Sequence, residues 1–367
     1  HRAYQPGDPG FQFQWYLRSW NGDDVLAGAD IAVAEAWDVT KGSREVVIAV
    51  IDDGFELTHP DFAGSGKIVH SLDFVNHDPD LALDLQLSDY HGTPCAGVAL
   101  AEENGLGVVG VAPGCAFMPV RVSFRQLDSD WWNIFHQTGK KADVISCSWG
   151  PPPVWSPLPI SLKDKLHDVA TSGGPSANGC VIVFAAHNYN APINDPSNSF
   201  FEWRSPDDVP GQYRATQEPI LNGFAAHPDV LAVAASTSLN RKAAYSNWGK
   251  EISICAPSSN GHPLDPEKIL PGLAVWTTDN ELESPGFKPG SQFTDNFGGT
   301  SSAAPVVAGV AGLVRSANSG VSALQVKHIL QDTADKIIDP DPDLVLGFRQ
   351  GTYDENGHSE WFGYGKA

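Results

Sequence analysis

The run Glu45-Val-Val-Ile-Ala-Val-Ile51 constrains this chain more than any other feature. Past its first residue it is apolar, mostly β-branched, and has no polar alternation. Neither face of the strand it forms can meet water, which is the mark of a strand inside a parallel sheet covered on both sides. Comparable runs lie at 117–122, 143–147, 180–186 and 230–234. Stretches at 133–140, 160–171, 301–316 and 322–332 read as helices. Strands alternating with helices predict an α/β fold with a mostly parallel central sheet.

Of the 367 residues 41% are hydrophobic and 18% charged, enough for a packed core and too few charges for charge-driven disorder. There are 44 Asp+Glu against 23 Lys+Arg, a net charge of −21. That balance disfavours nucleic acid and favours cationic partners, either basic peptides or metal ions. No apolar run approaches the ~18 residues of a membrane span, so the chain reads as soluble. No low-complexity linker divides it, and one domain over 1–367 is expected. An aromatic N-terminal arm covers 1–23, with Trp15, Tyr16 and Trp20. Two Pro-rich stretches, 189–221 and 258–297, read as long insertions, serving as binding surfaces or lids, or as surface decoration. The five cysteines are too scattered for a disulfide framework, and none forms a paired C-x-x-C zinc pattern. The chain begins at His1 and its only Met is Met118, which reads as a processed product or an excised piece. The compartment stays open.

Three short segments carry chemistry. Val50-Ile51-Asp52-Asp53-Gly54 puts a carboxylate at a strand end, where α/β sheets gather their functional groups; alone it is also an ordinary Asp-Gly turn. His91-Gly92-Thr93-Pro94-Cys95 starts a helix of small residues, with Cys95 one turn along the His91 face as a core thiol or a soft-metal ligand. Gly298-Gly299-Thr300-Ser301-Ser302-Ala303-Ala304-Pro305 delivers a Ser to a helix N-terminus, which can stabilise developing negative charge. Taken together they supply a nucleophile, a base and an orienting carboxylate, in the chain order Asp…His…Ser.

On these residues the sequence resembles the subtilisin-type serine proteases, and within them the calcium-dependent furin/kexin-type branch. Asp8-Pro9-Gly10-Phe11, Gln14-Trp15-Tyr16-Leu17, the Asp52-Asp53-Gly54 form and Ser148-Trp149-Gly150-Pro151 are similar to that branch. The likeness runs to Phe362-Gly363-Tyr364-Gly365-Lys366, which resembles the domain's last strand. It implies a three-layer α/β/α fold. It also implies Asp52, His91 and Ser301 as triad, and Asn188, after the run 181–186, as oxyanion donor. His187 departs from the glycine usual before that Asn.

The segment from Asp73 to Asp80 sets three carboxylates and an amide (Asp73, Asn76, Asp78, Asp80) within one loop, either a charged surface loop or a set of hard oxygen ligands. The resemblance implies that Asp73, Asp78 and Asp80 bind calcium. It implies a second site at Asp8, Asp61 and Asn104, so Ca2+ is expected at two sites. For substrate it implies binding by Ser148, Trp149, Gly150 and Asn222. The family's acids for a basic residue on the acyl side of the scissile bond (P1) are replaced here by Pro152-Pro153, Asn222 and Asn247. Either insertion acids (Glu202, Asp207, Asp208, Glu218) restore that charge or P1 is apolar. The expected activity is a calcium-dependent endopeptidase acting on polypeptides, monomeric, with a possible inhibitory pro-segment. A ligase or cyclase using the same acyl-enzyme, or a silent calcium-binding peptide-recognition module, are the alternatives.

Overall fold

A computed structural model of the chain describes residues 4–77, 81, 89–205, 211–281 and 286–367. The elements begin with α1 (Val33–Ala36), β1 (Val47–Asp52), β2 (Leu72–Asp73), α2 (Gly92–Leu100), β3 (Ala116–Arg121) and α3 (Asp128–Thr138). They continue with β4 (Val144–Cys147), β5 (Trp155–Ser156), α4 (Ile160–Ser172), β6 (Val181–Ala185), β7 (Asn194–Asp195), β8 (Phe201–Trp203), β9 (Arg214–Thr216) and β10 (Ile220–Asn222). The last are β11 (Val230–Ser236), β12 (Ile252–Pro257), β13 (Val275–Thr278), β14 (Phe293–Phe297), α5 (Thr300–Ala317) and α6 (Ala323–Asp332).

Seven strands form one sheet in the order β12-β11-β6-β4-β1-β3-β2, and all of its pairings are parallel. Every residue of β1 is buried. Ile48 and Val50 pack with residues of α2, α5 and α6 on one face, while Val47, Ala49 and Ile51 pack with residues of α3 and α4 on the other. Burying each such side chain contributes about 1.5–3 kcal/mol, which drives the three layers together. The expected α/β/α architecture is therefore present. Two later strands of this sheet, β3 and β4, flank β1 on opposite sides, with β2 outside β3, so the strand order reverses there. A crevice opens at the carboxyl end of such a switch strand. Asp52 is its last residue.

Several boundaries differ from the sequence reading. Helix α3 starts at Asp128 rather than near 133, because the Asp130 carboxylate accepts the Leu127 N–H at 3.1 Å and opens the helix earlier. Strand β12 lies outside the runs read from the sequence: it is short, enclosed between Lys250-Glu251 and Pro257. The 362–366 segment is not a strand: it touches β12 through isolated bridges, and positive φ at Gly363 (59°) and Gly365 (134°) breaks any ladder. The two insertions hold β7 to β10 and the β13–β14 hairpin, so they are not bare loops. That hairpin lies on α2: the Thr278 and Thr277 hydroxyls donate to the Thr93 and Pro94 carbonyls at 2.8 and 3.1 Å. The N-terminal arm enters the core, with Trp15, Tyr16 and Leu17 at 0% exposure. No helix among the described residues is long and apolar enough to cross a membrane.

Candidate active site

The site grows from the end of β1. Asp52 is fully buried, and His91 stands at the N-cap of α2 with Nδ1 3.0 and 3.2 Å from the two Asp52 carboxylate oxygens. A carboxylate on Nδ1 keeps the proton there and leaves Nε2 with its lone pair facing the cleft. This close approach requires Gly92, since a β-carbon there would stand 2.4 Å from the Gly54 carbonyl oxygen. Burial on its own would lower the His91 pKa, but the neighbouring Cys95 and the Asp52 carboxylate together outweigh it and hold the imidazole well above 6.5. The Cys95 sulfur, 3.6 Å from Nδ1, stays a neutral thiol because burial pushes it up to about 11.

Asp53 is a site residue that the sequence reading passed over. Its carboxylate accepts the N–H groups of Tyr90, His91 and Gly92 at 3.0, 3.1 and 2.8 Å. It thus caps α2 from the turn that follows β1, where His91 makes no cap of its own. Burial, with the Asp52 charge adding, pushes Asp53 up to about 7. The only signal for it was a second Asp between Asp52 and the turn glycine.

Ser301 lies in the first turn of α5, where its N–H has no carbonyl four residues back. Gly299 leads into that turn at φ 71°, a conformation that favours glycine, and a β-carbon there would press within 2.8 Å of Asn188 Nδ2. Asn188 Oδ1 accepts both the Thr300 N–H (2.8 Å) and hydroxyl (2.9 Å), which fixes the amide and leaves Nδ2 beside the Ser301 turn. Pro305 has no N–H for the Ser301 carbonyl. That carbonyl instead accepts Ser148 Oγ at 3.1 Å and Cys95 Sγ at 3.6 Å, locking the Ser301 turn to two other elements. The Ser301 hydroxyl donates to the Ser148 carbonyl at 3.3 Å.

Of the expected substrate residues, Ser148 bonds to Ser301, and Gly150 and Asn222 meet at His187, next to Asn188, whereas the Trp149 side chain points away. Its indole donates to the Ile51 carbonyl at 2.8 Å and stacks on Trp131 at 4.2 Å, so only its backbone can meet a substrate. Asn222 Oδ1 accepts the Ala225 N–H at 3.1 Å, and its Nδ2 is buried without a partner. Glu202 and Glu218 are exposed, and Asp207 and Asp208 lie outside the described residues.

Asp8, Asp61 and Asn104 come together from three segments. The Asp8 and Asp61 side chains are 3% and 0% exposed. Asp8 Oδ1 accepts the Asn104 and Gly105 N–H groups, both at 3.1 Å, while Oδ2 is buried with no partner. The Asn104 amide donates to Asp61 at 3.2 Å. Burial, with Asp8 and Glu102 adding, pushes Asp61 up to about 7. Two buried carboxylates, one with an orphaned oxygen, fit a hard cation. Asp73 pairs with buried Arg121 at 3.4 Å and accepts the Val75 and Asn76 N–H groups at 2.6 and 3.1 Å. Asp78 and Asp80 lie outside the described residues. Asp52, His91 and Cys95 also offer ligand atoms within 4.8 Å of one another.

Comparison with known proteins identifies the family. A calcium-dependent protease of Nostoc sp. is 34% identical over 97% of this chain and 50% of its own length, so the chain spans about half of that curated relative. Thermitase of Thermoactinomyces vulgaris is 28% identical over 91% of this chain and 93% of its own. The crystal structure of the Aeromonas sobria serine protease with its chaperone superposes at a TM-score of 0.78, covering 100% of this chain and 66% of that one at 20% identity. The subtilase family profile matches residues 43–365, a span that holds Asp52, His91, Asn188 and Ser301 together, and the chain belongs to the subtilase family.

Proposed function

We propose that this chain is a serine endopeptidase working through an acyl-enzyme, with Ser301 as nucleophile, His91 as base, Asp52 as its orienter and Asn188 as oxyanion donor. The observation that carries this reading is the convergence at one sheet end of the Asp52-bound His91 ring and the α5 first turn clasped by Asn188. Ser301 Oγ adds to the peptide carbonyl carbon as its proton passes to His91 Nε2. The tetrahedral oxygen is held by Asn188 Nδ2 and the Ser301 N–H. His91 then returns the proton to the departing amine, and water, deprotonated by the same nitrogen, releases the acid.

Calcium belongs to the proposal as a structural ion. Asp8 and Asp61 would hold it with Asn104, and it supplies charge that neutralises their buried carboxylates. The name of the Nostoc relative supports the assignment.

A fluorophosphonate probe should label Ser301 covalently in the calcium-loaded protein, and Ser301→Ala should abolish both label and peptide cleavage. Label retained elsewhere in that variant would overturn the assignment. Asn188→Ala should lower kcat by about 10²–10³, the usual cost of one oxyanion donor, with a much smaller change in KM. Stopped-assay kinetics on one peptide ester checks this, and a change confined to KM would remove Asn188 from the transition state.

A further inference from the structure

His187 occupies a backbone position that favours glycine and puts a ring there. Its φ is 81°, in the left-handed region where a β-carbon is strained. The conformation is held from both sides: its N–H donates to Thr300 Oγ1 at 2.9 Å, and its carbonyl accepts the Asn247 N–H at 2.8 Å. The ring lies parallel to Tyr189, 6.1 Å between centroids and 12° between planes. Its Nε2 is buried and makes no hydrogen bond. A β-carbon on Gly150 would stand 2.3 Å from that nitrogen and 3.3 Å from the orphaned Asn222 Nδ2. The imidazole therefore reaches across from the Asn188 segment to the 148–150 segment, and Gly150 admits it only because it has no side chain.

Those two segments flank the nucleophile. Ser148 exchanges two hydrogen bonds with Ser301, and Asn188 follows His187 directly. On the catalytic reading above, a substrate residue bonded at Ser301 lies against both of them. We propose that His187 plugs the gap between them and restricts P1 to residues the size of glycine, alanine or serine. Large and basic side chains are excluded by the same ring. Burial pushes the ring down to about 4, so it is neutral at working pH and offers an arriving cation no repulsion; the exclusion is steric. Asn222 and Asn247 hold the positions where the resemblance expects acids, Glu202 is exposed, and Glu218 lies further along, beside Val154 and Trp155.

The test profiles cleavage of a mixed peptide library by the calcium-loaded protein and by His187→Gly. It adds kcat/KM for two peptides that differ only in Ala or Leu at P1. Wild type should cut after Gly, Ala and Ser and favour the Ala peptide by at least about tenfold, the scale of discrimination that pocket size alone achieves. In His187→Gly the Leu-to-Ala ratio should rise about tenfold or more. Glycine suits the φ of 81°, so the variant keeps its fold. Wild-type cuts spread over large or basic residues, or a ratio unmoved by the variant, overturns the plug. Fluorophosphonate labelling of the same samples separates causes. Labelled enzyme with the wrong profile overturns the plug alone, whereas no label overturns the catalytic reading and the specificity resting on it.

Discussion

Asp52→Asn should lower kcat by about 10⁴-fold while the Ser301 turn and the fold stay intact. The carboxylate does two things that an amide cannot. It accepts from Nδ1 through both oxygens, at 3.0 and 3.2 Å, and so dictates the tautomer that leaves Nε2 basic. It also stabilises the imidazolium formed when Ser301 gives up its proton. An Asn can turn its NH₂ to Nδ1, which moves the ring proton to Nε2 and removes the base. The pH profile provides an independent readout. His91 works as a base only when neutral, and Cys95 and Asp52 together hold its pKa well above 6.5, so kcat/KM should fall as pH drops through a midpoint above 6.5. In Asp52→Asn the carboxylate's share of the upward shift is lost while burial and Cys95 remain, so the acid limb of the residual activity should move to lower pH. An unmoved acid limb, with kcat lowered less than about tenfold, would mean that Asp52 does not orient the base.

How much of this was legible in the sequence depended on whether one segment carried both residue and geometry. Asp52, His91 and Ser301 each sit beside glycines that the backbone needs: Gly92 lets α2 start against the β1 turn, and Gly299 brings the chain past Asn188. Those signals are local, and so were readable. Pro305 was visible too, but its use was not, because the carbonyl it frees bonds to Ser148 and Cys95 from distant elements. Asp53 caps a helix 38 residues away from it, which no spacing rule reaches. Trp149 could be placed beside the site from its motif, yet its indole turns into the core because Trp131 and the Ile51 carbonyl are there to receive it. The central sheet followed from apolar runs. The hairpin β13–β14 did not, since its threonines are buried by hydrogen bonds to α2 rather than by hydrophobicity.

Removing calcium should destabilise the protein by several kcal/mol, and the effect should run through Asp8. A ligand at about a thousand times its Kd stabilises the native state by ~4 kcal/mol. Here the ion would also offset a standing cost: two buried carboxylates face a common space, and Asp8 Oδ2 has no partner. The same residue ties the N-terminal arm to the 104–108 loop, where the Gly10 N–H also donates to the Gly107 carbonyl at 2.7 Å. Losing that tie exposes Trp15, Tyr16 and Leu17, which are wholly buried. A chelator should therefore lower Tm by several degrees and change tryptophan fluorescence before the main transition. The variant Asp8→Asn separates an ion site from mere packing, because it has one buried charge fewer. In chelator it should melt at or above wild type, as the carboxylate repulsion is relieved. In millimolar calcium it should melt below wild type, as a ligand is gone. Crossing melting curves require a cation held by Asp8, measured on Ser301→Ala backgrounds so that self-cleavage does not intrude. Curves that keep the same order in both buffers would leave Asp8 as a packing residue and move any calcium effect elsewhere in the chain.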